Sequence, residues 1–282
     1  MDTGNFRGFD TEISKHGILT IRFNRPEKLN GLDQWIKRDL VETLTQAQMD
    51  DGVRVIVFAG SGRAFCAGDD LGGHEQNRES NLPDIPAGHR TPIGTYDGLR
   101  MLSQPVAAMV RAVDKLTIAA INGVAIQSGF SLALACDFRI ASDSARMGSA
   151  TLRFGLLPDE GGQFLLVQLL GVAGAMDFLM RKRIVDAREA LALGLVHEVV
   201  GTDELDGHTS ALAAELAEGP QVSMRLLKRS LYNAAEMTFA HALDEIASKT
   251  AISDHHADAR EGIAAFREKR PPRFNGWLER AE

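Results

Sequence analysis

Two separated segments hold the residues best suited to chemistry: Gly60-Ser61-Gly62-Arg63-Ala64-Phe65-Cys66-Ala67-Gly68-Asp69-Asp70-Leu71 and Asn122-Gly123-Val124-Ala125-Ile126-Gln127-Ser128-Gly129-Phe130-Ser131-Leu132. Each begins where an apolar run ends and turns on glycine, so each can present a free backbone N–H to a single ligand atom. Two such donors on one oxygen make an oxyanion hole, which points to acyl chemistry. Cys66 lies inside the first segment. A thiolate nucleophile needs a base beside it, and no His or Asn adjoins Cys66 in sequence, so a small buried thiol is expected. Cys136 is the only other cysteine, which excludes a disulfide framework or a zinc cluster.

The elements that must position these segments alternate along the chain. Phe9 to Lys15 and Ile18 to Phe23 read as strands joined at His16-Gly17, and 24–31 is a turn-rich loop. Asp33 caps a helix whose apolar residues Trp35, Ile36, Leu40, Leu44 and Ala47 recur at helical spacing. Val53 to Ala59 is a β-branched run suited to a strand buried on both faces. Gly72 to Gly94 has no periodicity and reads as a long insertion carrying His74 and His89, followed by Tyr96. A helix is expected over Asp97 to Val113, a strand over Leu116 to Ile121, a short apolar helix over Ser128 to Cys136 and a strand over Phe138 to Ala141. Gln163 to Leu170 and Val172 to Met180 are two helices, Asp186 caps another through Ala192, and Val196 to Val200 is the last strand. From Asp203 the chain is helical, with breaks at Gly219-Pro220 and Ser253-Asp254. The alternation implies an α/β fold with right-handed βαβ crossovers and mostly parallel sheets.

Bulk properties narrow the function. The chain has 282 residues, 44% hydrophobic and 24% charged, as in ordinary globular proteins. A net charge of −7, from 31 Lys and Arg against 38 Asp and Glu, argues against a nucleic-acid-binding surface. Met1 to Asp10 lacks the apolar run of a signal peptide, and the longest apolar stretches are interrupted short of membrane-spanning length. A cytoplasmic protein is the expectation.

Taken in order, the motifs resemble the crotonase superfamily, the enoyl-CoA hydratase/isomerase family. The similarity runs through Asn24-Arg25-Pro26, Arg63 to Leu71, Asn122-Gly123, 155–162 (Gly-Leu-Leu-Pro-Asp-Glu-Gly-Gly), Ala187-Arg188-Glu189-Ala190, Gly194-Leu195-Val196 and 261–270. The resemblance implies a crotonase-like spiral of ββα and βαβ turns over 1–200, with a C-terminal helical region over 201–282 for trimerisation and for closing the coenzyme A site. It implies a homotrimer or homohexamer acting on an acyl-CoA thioester, with no cofactor beyond the coenzyme A of the substrate itself. By motif position the oxyanion donors are the N–H groups of Ala67 and Ser128, the latter helped by the dipole of the helix it starts. Adenine and pantetheine contacts fall at Lys28, Leu29, Asp70 and Leu71, and Phe266 and Lys269 match positions at the nucleotide end.

The chain departs from the family's hydratases. Their two catalytic glutamates fall at Ser131 and Thr151, neither of which can act as a carboxylate base. Asp159 stands where some isomerases of the family, and its 4-chlorobenzoyl-CoA dehalogenase, place a catalytic carboxylate. Moving a double bond needs one base that takes a proton from C2 or C4 and returns it to the other carbon. The resemblance thus implies a double-bond isomerase with Asp159 as its single acid/base. Asp159 could instead be an N-cap of the helix that follows, with Glu160 as the fallback carboxylate. An atypical hydratase and a non-catalytic acyl-CoA-binding protein are the alternatives; an RNA-binding role is discounted, because the first helix carries only Lys37 and Arg38 as positive charges.

Overall fold

The computed structural model describes residues 1, 4–70 and 91–278. The chain opens with strands β1 (Gly4–Phe6), β2 (Phe9–Ile13) and β3 (Ile18–Phe23), then helix α1 (Gln34–Met49) and strands β4 (Val55–Gly60) and β5 (Ala64–Cys66). Asp33 caps α1 as expected, accepting from the N–H groups of Trp35 and Ile36. Next come α2 (Pro92–Gly98), a wider π-type turn over 99–103 and α3 (Gln104–Ala112), then β6 (Leu116–Ile121), β7 (Val124–Ile126), α4 (Ser128–Ala135), β8 (Phe138–Ser142) and β9 (Arg146–Gly148). Helix α5 (Gly162–Met180), β10 (Ile184–Asp186), α6 (Ala187–Ala192) and β11 (Glu198–Val200) complete the α/β part. Four helices follow: α7 (Leu205–Glu218), α8 (Gln221–Ala234), α9 (Phe239–Asp254) and α10 (Ala257–Glu268).

Seven strands form one sheet in the order β1-β2-β3-β4-β6-β8-β11, antiparallel up to β3 and parallel beyond it. Side chains of β4 alternate between two cores, as the two-periodicity of a strand demands. Ile56 and Phe58 join α1, α4 and α5 on one face, while Val55, Val57 and Ala59 meet Leu205, Ala213 and Ala217 of α7 on the other. The first of the C-terminal helices therefore covers the second face of the main sheet.

The second sheet, β10-β9-β7-β5, is built from three-residue strands, too short to show any periodicity in sequence. It matters most for function, because β5 pairs in parallel with β7 and so lays the two glycine-bearing segments side by side. Two sequence expectations shift. Helix α2, capped by Thr91, starts at Pro92, inside the expected insertion, because proline suits the first helical turn; His74 and His89 lie outside the described residues. The expected helix to the C-terminus has a further break, at 235–238 before α9, and ends at Glu268, with 269–277 in turns and coil.

Helix α5 is long and apolar enough in composition to cross a membrane. Gly171 (φ 67°, ψ 172°) divides it into two pieces, where the sequence placed two helices, and each is shorter than the ~20 residues of a span.

Candidate active site

The two turns meet at bond-length detail. A Cβ on Gly129 would lie 2.1 Å from the carbonyl oxygen of Cys66, and one on Gly68 would lie 2.6 Å from Cβ of Gln127. Gly68 has φ +97° and Gln127 has φ 57°, the left-handed region that costs a non-glycine residue of order 1–3 kcal/mol. The chain accepts that strain at the residue preceding Ser128.

Hydrogen bonding decides which N–H groups remain available. Ala67 was the expected donor of the first turn, but its N–H bonds the Leu29 carbonyl at 3.0 Å. The Gly68 N–H supports the Cys66 sulfur. Asp69 is different: it forms a parallel bridge with Leu32, in which the Gly68 carbonyl and the Asp70 N–H make the bonds. The N–H of Asp69 itself therefore points the other way, and it has no acceptor among the described residues. Ser128 is the first residue of α4, so its N–H is one of the groups that a helix start leaves unpaired. The unpaired donors flanking the contact between the turns are thus those of Asp69 and Ser128, two residues along from Ala67 in the first turn.

Asp69 and Ser128 also line a cavity of about 110 Å³ together with Ser131, Thr151, Asp159 and Glu160. Its outer wall is apolar, from Phe154, Leu156 and Leu157. Ser131 and Thr151 thus face the cavity as hydroxyls. The N-cap position of α5 is Gly161, without any side-chain cap, so Asp159 is not consumed in capping. Its backbone carbonyl accepts from the Gln104 amide at 3.0 Å, which anchors the segment. Burial, assisted by the negative charge of Asp69, raises the Asp159 carboxyl above the usual aspartate range.

Sequence reading did not foresee a buried ionic cluster beside this cavity. Lys37 of α1 is 3% exposed, and its Nζ lies 2.7 Å from Asp69 Oδ1, 2.6 Å from Glu160 Oε1 and 2.9 Å from Ser103 Oγ. The Ser128 hydroxyl donates to Asp69 Oδ1 as well. Burial alone would lower the Lys37 pKa, but Glu160 and Asp69 carry it above the ordinary lysine value. Glu160 is raised by burial, against the pull of Lys37. Cys66 is fully buried and its thiol is pushed up to about 12 by desolvation, so the inert reading of that cysteine stands.

The expected coenzyme A contacts divide into two groups. Lys28, Leu29 and Asp70 come together: Lys28 Nζ lies 3.5 Å from Asp70 Oδ2, which Arg25 also meets at 2.8 Å. Leu29 (φ 51°) and Asn30 (φ 58°) turn this loop sharply, and the Asn30 amide ties it to the carbonyls of Ser61 and Ala64. Leu71 lies outside the described residues. Phe266, 86% exposed, and Lys269 sit at the end of α10, which packs on α9 and, through Asn275, on the corner between α7 and α8. Neither side chain makes a hydrogen bond, ion pair or ring contact among the described residues.

Comparison with known proteins places this geometry among relatives. The family model described as enoyl-CoA hydratase/isomerase matches residues 13–277. The 1,2-epoxyphenylacetyl-CoA isomerase of Escherichia coli K12 is 33% identical over 260 residues, covering 92% of this chain and 95% of that protein. The 4-chlorobenzoyl coenzyme A dehalogenase-2 of an Arthrobacter species is 30% identical over 254 residues, covering 90% and 88%. Among solved structures, the enoyl-CoA hydratase of Bacillus anthracis superposes with a TM-score of 0.85 at 29% identity, covering 95% of this chain and 99% of that one.

Proposed function

The chain belongs to the enoyl-CoA hydratase/isomerase family, and from that premise we propose that it moves a double bond in an acyl-CoA thioester, with Asp159 as the single acid/base. The observation that carries this reading is the Asp159 carboxylate, which lines the cavity without an ion pair among the described residues, while Asp69 and Glu160 are bonded to Lys37 and Ser131 and Thr151 offer only hydroxyls. Asp159 takes a proton from C2 or C4, and the electron pair moves onto the thioester oxygen as an enolate. The N–H groups of Asp69 and Ser128 hold that oxygen, and the α4 dipole adds to the Ser128 donor. Asp159 then returns the proton to the other carbon as the carbonyl re-forms. Nothing is gained or lost but the position of the double bond. The apolar wall of Phe154, Leu156 and Leu157, exposed in the single chain, suits a hydrocarbon acyl group.

In this reading Lys28, Leu29 and Asp70, which lie together, receive the coenzyme A moiety. The exposed apolar residues of α5, among them Phe164, Val172 and Met176, with Leu231 and Phe239 of the C-terminal region, support assembly as a homotrimer or homohexamer. In that assembly Phe266 and Lys269 are free to meet the nucleotide end.

The test is incubation with trans-3-hexenoyl-CoA and trans-2-hexenoyl-CoA in heavy water, followed by mass. The expected result is interconversion without added water, and a loss of about 10²–10⁴-fold in kcat for Asp159→Asn. Addition of one water to the 2-enoyl substrate would establish hydration instead.

A further inference from the structure

The Lys37 ammonium reaches both halves of the site from a helix that contributes nothing else to it. It bonds Asp69, the residue whose N–H is the first oxyanion donor, and Glu160, the neighbour of Asp159. Ser128, the second donor, closes the ring through its hydroxyl to Asp69. One buried cation therefore fixes the Asp69 side chain directly and the Ser128 hydroxyl through Asp69. We propose that Lys37 is a positioning residue that sets the charge balance of the reacting pocket, holding the first oxyanion turn against the acid/base segment and offsetting the carboxylates of Asp69 and Glu160 where the enolate oxygen forms. The proposal rests on the enolate reading above.

Asp69, Asp159 and Glu160 bring three carboxylates to the cavity, and among the described residues Lys37 is the one cation bonded among them. During enolate formation negative charge leaves Asp159, which takes the proton, and appears on the thioester oxygen at the Asp69 N–H. Lys37 bonds Asp69 directly and has no bond to Asp159, so it stands on the receiving side of that transfer. Without it, two carboxylates, Glu160 buried and Asp69 half-exposed, flank the developing oxyanion uncompensated, and like charges repel. Among the described residues Cys66 also faces Lys37, and it is neutral throughout the working range.

Lys37 and Asp69 act on Asp159 in opposite senses, the first lowering and the second raising its pKa. Two variants therefore test the proposal by sign. The readouts are pH–rate profiles for trans-3-hexenoyl-CoA isomerisation and for C2 deuterium exchange of butanoyl-CoA in heavy water, an exchange that requires only the enolate. Lys37→Met is expected to lose about 10²-fold in kcat at neutral pH with little change in KM, and to move the acid limb to higher pH. Asp69→Asn keeps the backbone donor and is expected to move the acid limb to lower pH. The charge-free Lys37→Met/Asp69→Asn/Glu160→Gln variant is expected to recover most of the loss.

Unmoved limbs in both single variants, or a triple variant as slow as Lys37→Met, would overturn the proposal and leave Lys37 as packing alone. If Lys37→Met does not fold, the direction of the Asp69→Asn shift decides. Wild-type protein that exchanges the C2 proton without isomerising sinks the isomerase reading and leaves this test intact. Wild-type protein that does neither removes the enolate chemistry, and this proposal with it.

Discussion

Gly129→Ala probes the contact on which the oxyanion hole depends. The added Cβ would sit 2.1 Å from the Cys66 carbonyl oxygen and 2.7 Å from its carbonyl carbon, where ordinary contact begins near 3.4 Å. Both are backbone atoms, so no side chain can swing aside, and the two turns must part by about 1.3 Å. Asp69 and Ser128 lie within three residues of that contact on either side, so the parting separates the two N–H groups by a similar distance. A displacement of about 1 Å in a catalytic constellation costs on the order of 10²-fold in rate. Folding stability responds less: overpacking costs about 1–3 kcal/mol, and alanine in a helix returns up to about 1 kcal/mol. Steady-state kinetics with trans-3-hexenoyl-CoA and urea unfolding read the two effects separately. The control is Gly207→Ala in α7, where a Cβ meets nothing within 4 Å; its kinetics are expected to be unchanged and its stability to rise by a few tenths to about 1 kcal/mol. A Gly129→Ala enzyme with wild-type kcat would refute the two-turn hole, because the contact that sets its width could not then be as close as described.

Four further outcomes follow from the geometry. The rate is expected to fall on the acid side as Asp159 takes a proton, at a pH above the ordinary aspartate range, and an acid limb in the usual aspartate range would refute the desolvated base. The same raised value means that the folded chain holds this proton to higher pH than the unfolded one. Ionising Asp159 therefore lowers stability as pH rises through that interval, and Asp159→Asn is expected to raise the Tm at neutral pH while cutting kcat about 10²–10⁴-fold. Gln127→Gly relieves a left-handed non-glycine residue of order 1–3 kcal/mol, offset in part by the greater freedom of glycine in the unfolded chain, so denaturant unfolding is expected to show a net gain, and a lower midpoint would refute the strain. Asp33→Ala removes the cap that receives Trp35 at 2.8 Å and Ile36 at 2.9 Å, at an expected loss of about 1 kcal/mol, and unchanged stability would contradict that role.

What sequence could and could not reveal divides by range. Asp33, the Gly171 break and the Leu116–Ile121 strand were legible because each depends on its own neighbours: a cap, a helix-breaking glycine, a β-branched run. The oxyanion segments were legible as paired glycine turns, yet the donor within the first was placed at Ala67. Only the bond from the Ala67 N–H to Leu29 and the bridge between Leu32 and Asp69 reveal that the first donor is engaged and the second is left without an acceptor among the described residues, and both join residues from different parts of the chain. Asp159 as cap or base was likewise undecidable until Gly161 took the cap position.

Lys37 marks the limit. One of two positive charges on an amphipathic helix reads as solvated surface, and its partner Glu160 is 123 residues away. No local rule joins them. They meet because α1 and the segment before α5 both border α4, and α4 is held there by the three-residue strands β5 and β7, which sequence periodicity could not find. Burying an ammonium among carboxylates costs desolvation that packed hydrocarbon would not. A chain optimised for stability alone gains nothing from placing that cluster here, whereas a chain that must generate an enolate between Asp69 and Ser128 gains a fixed positive charge where the oxygen becomes negative.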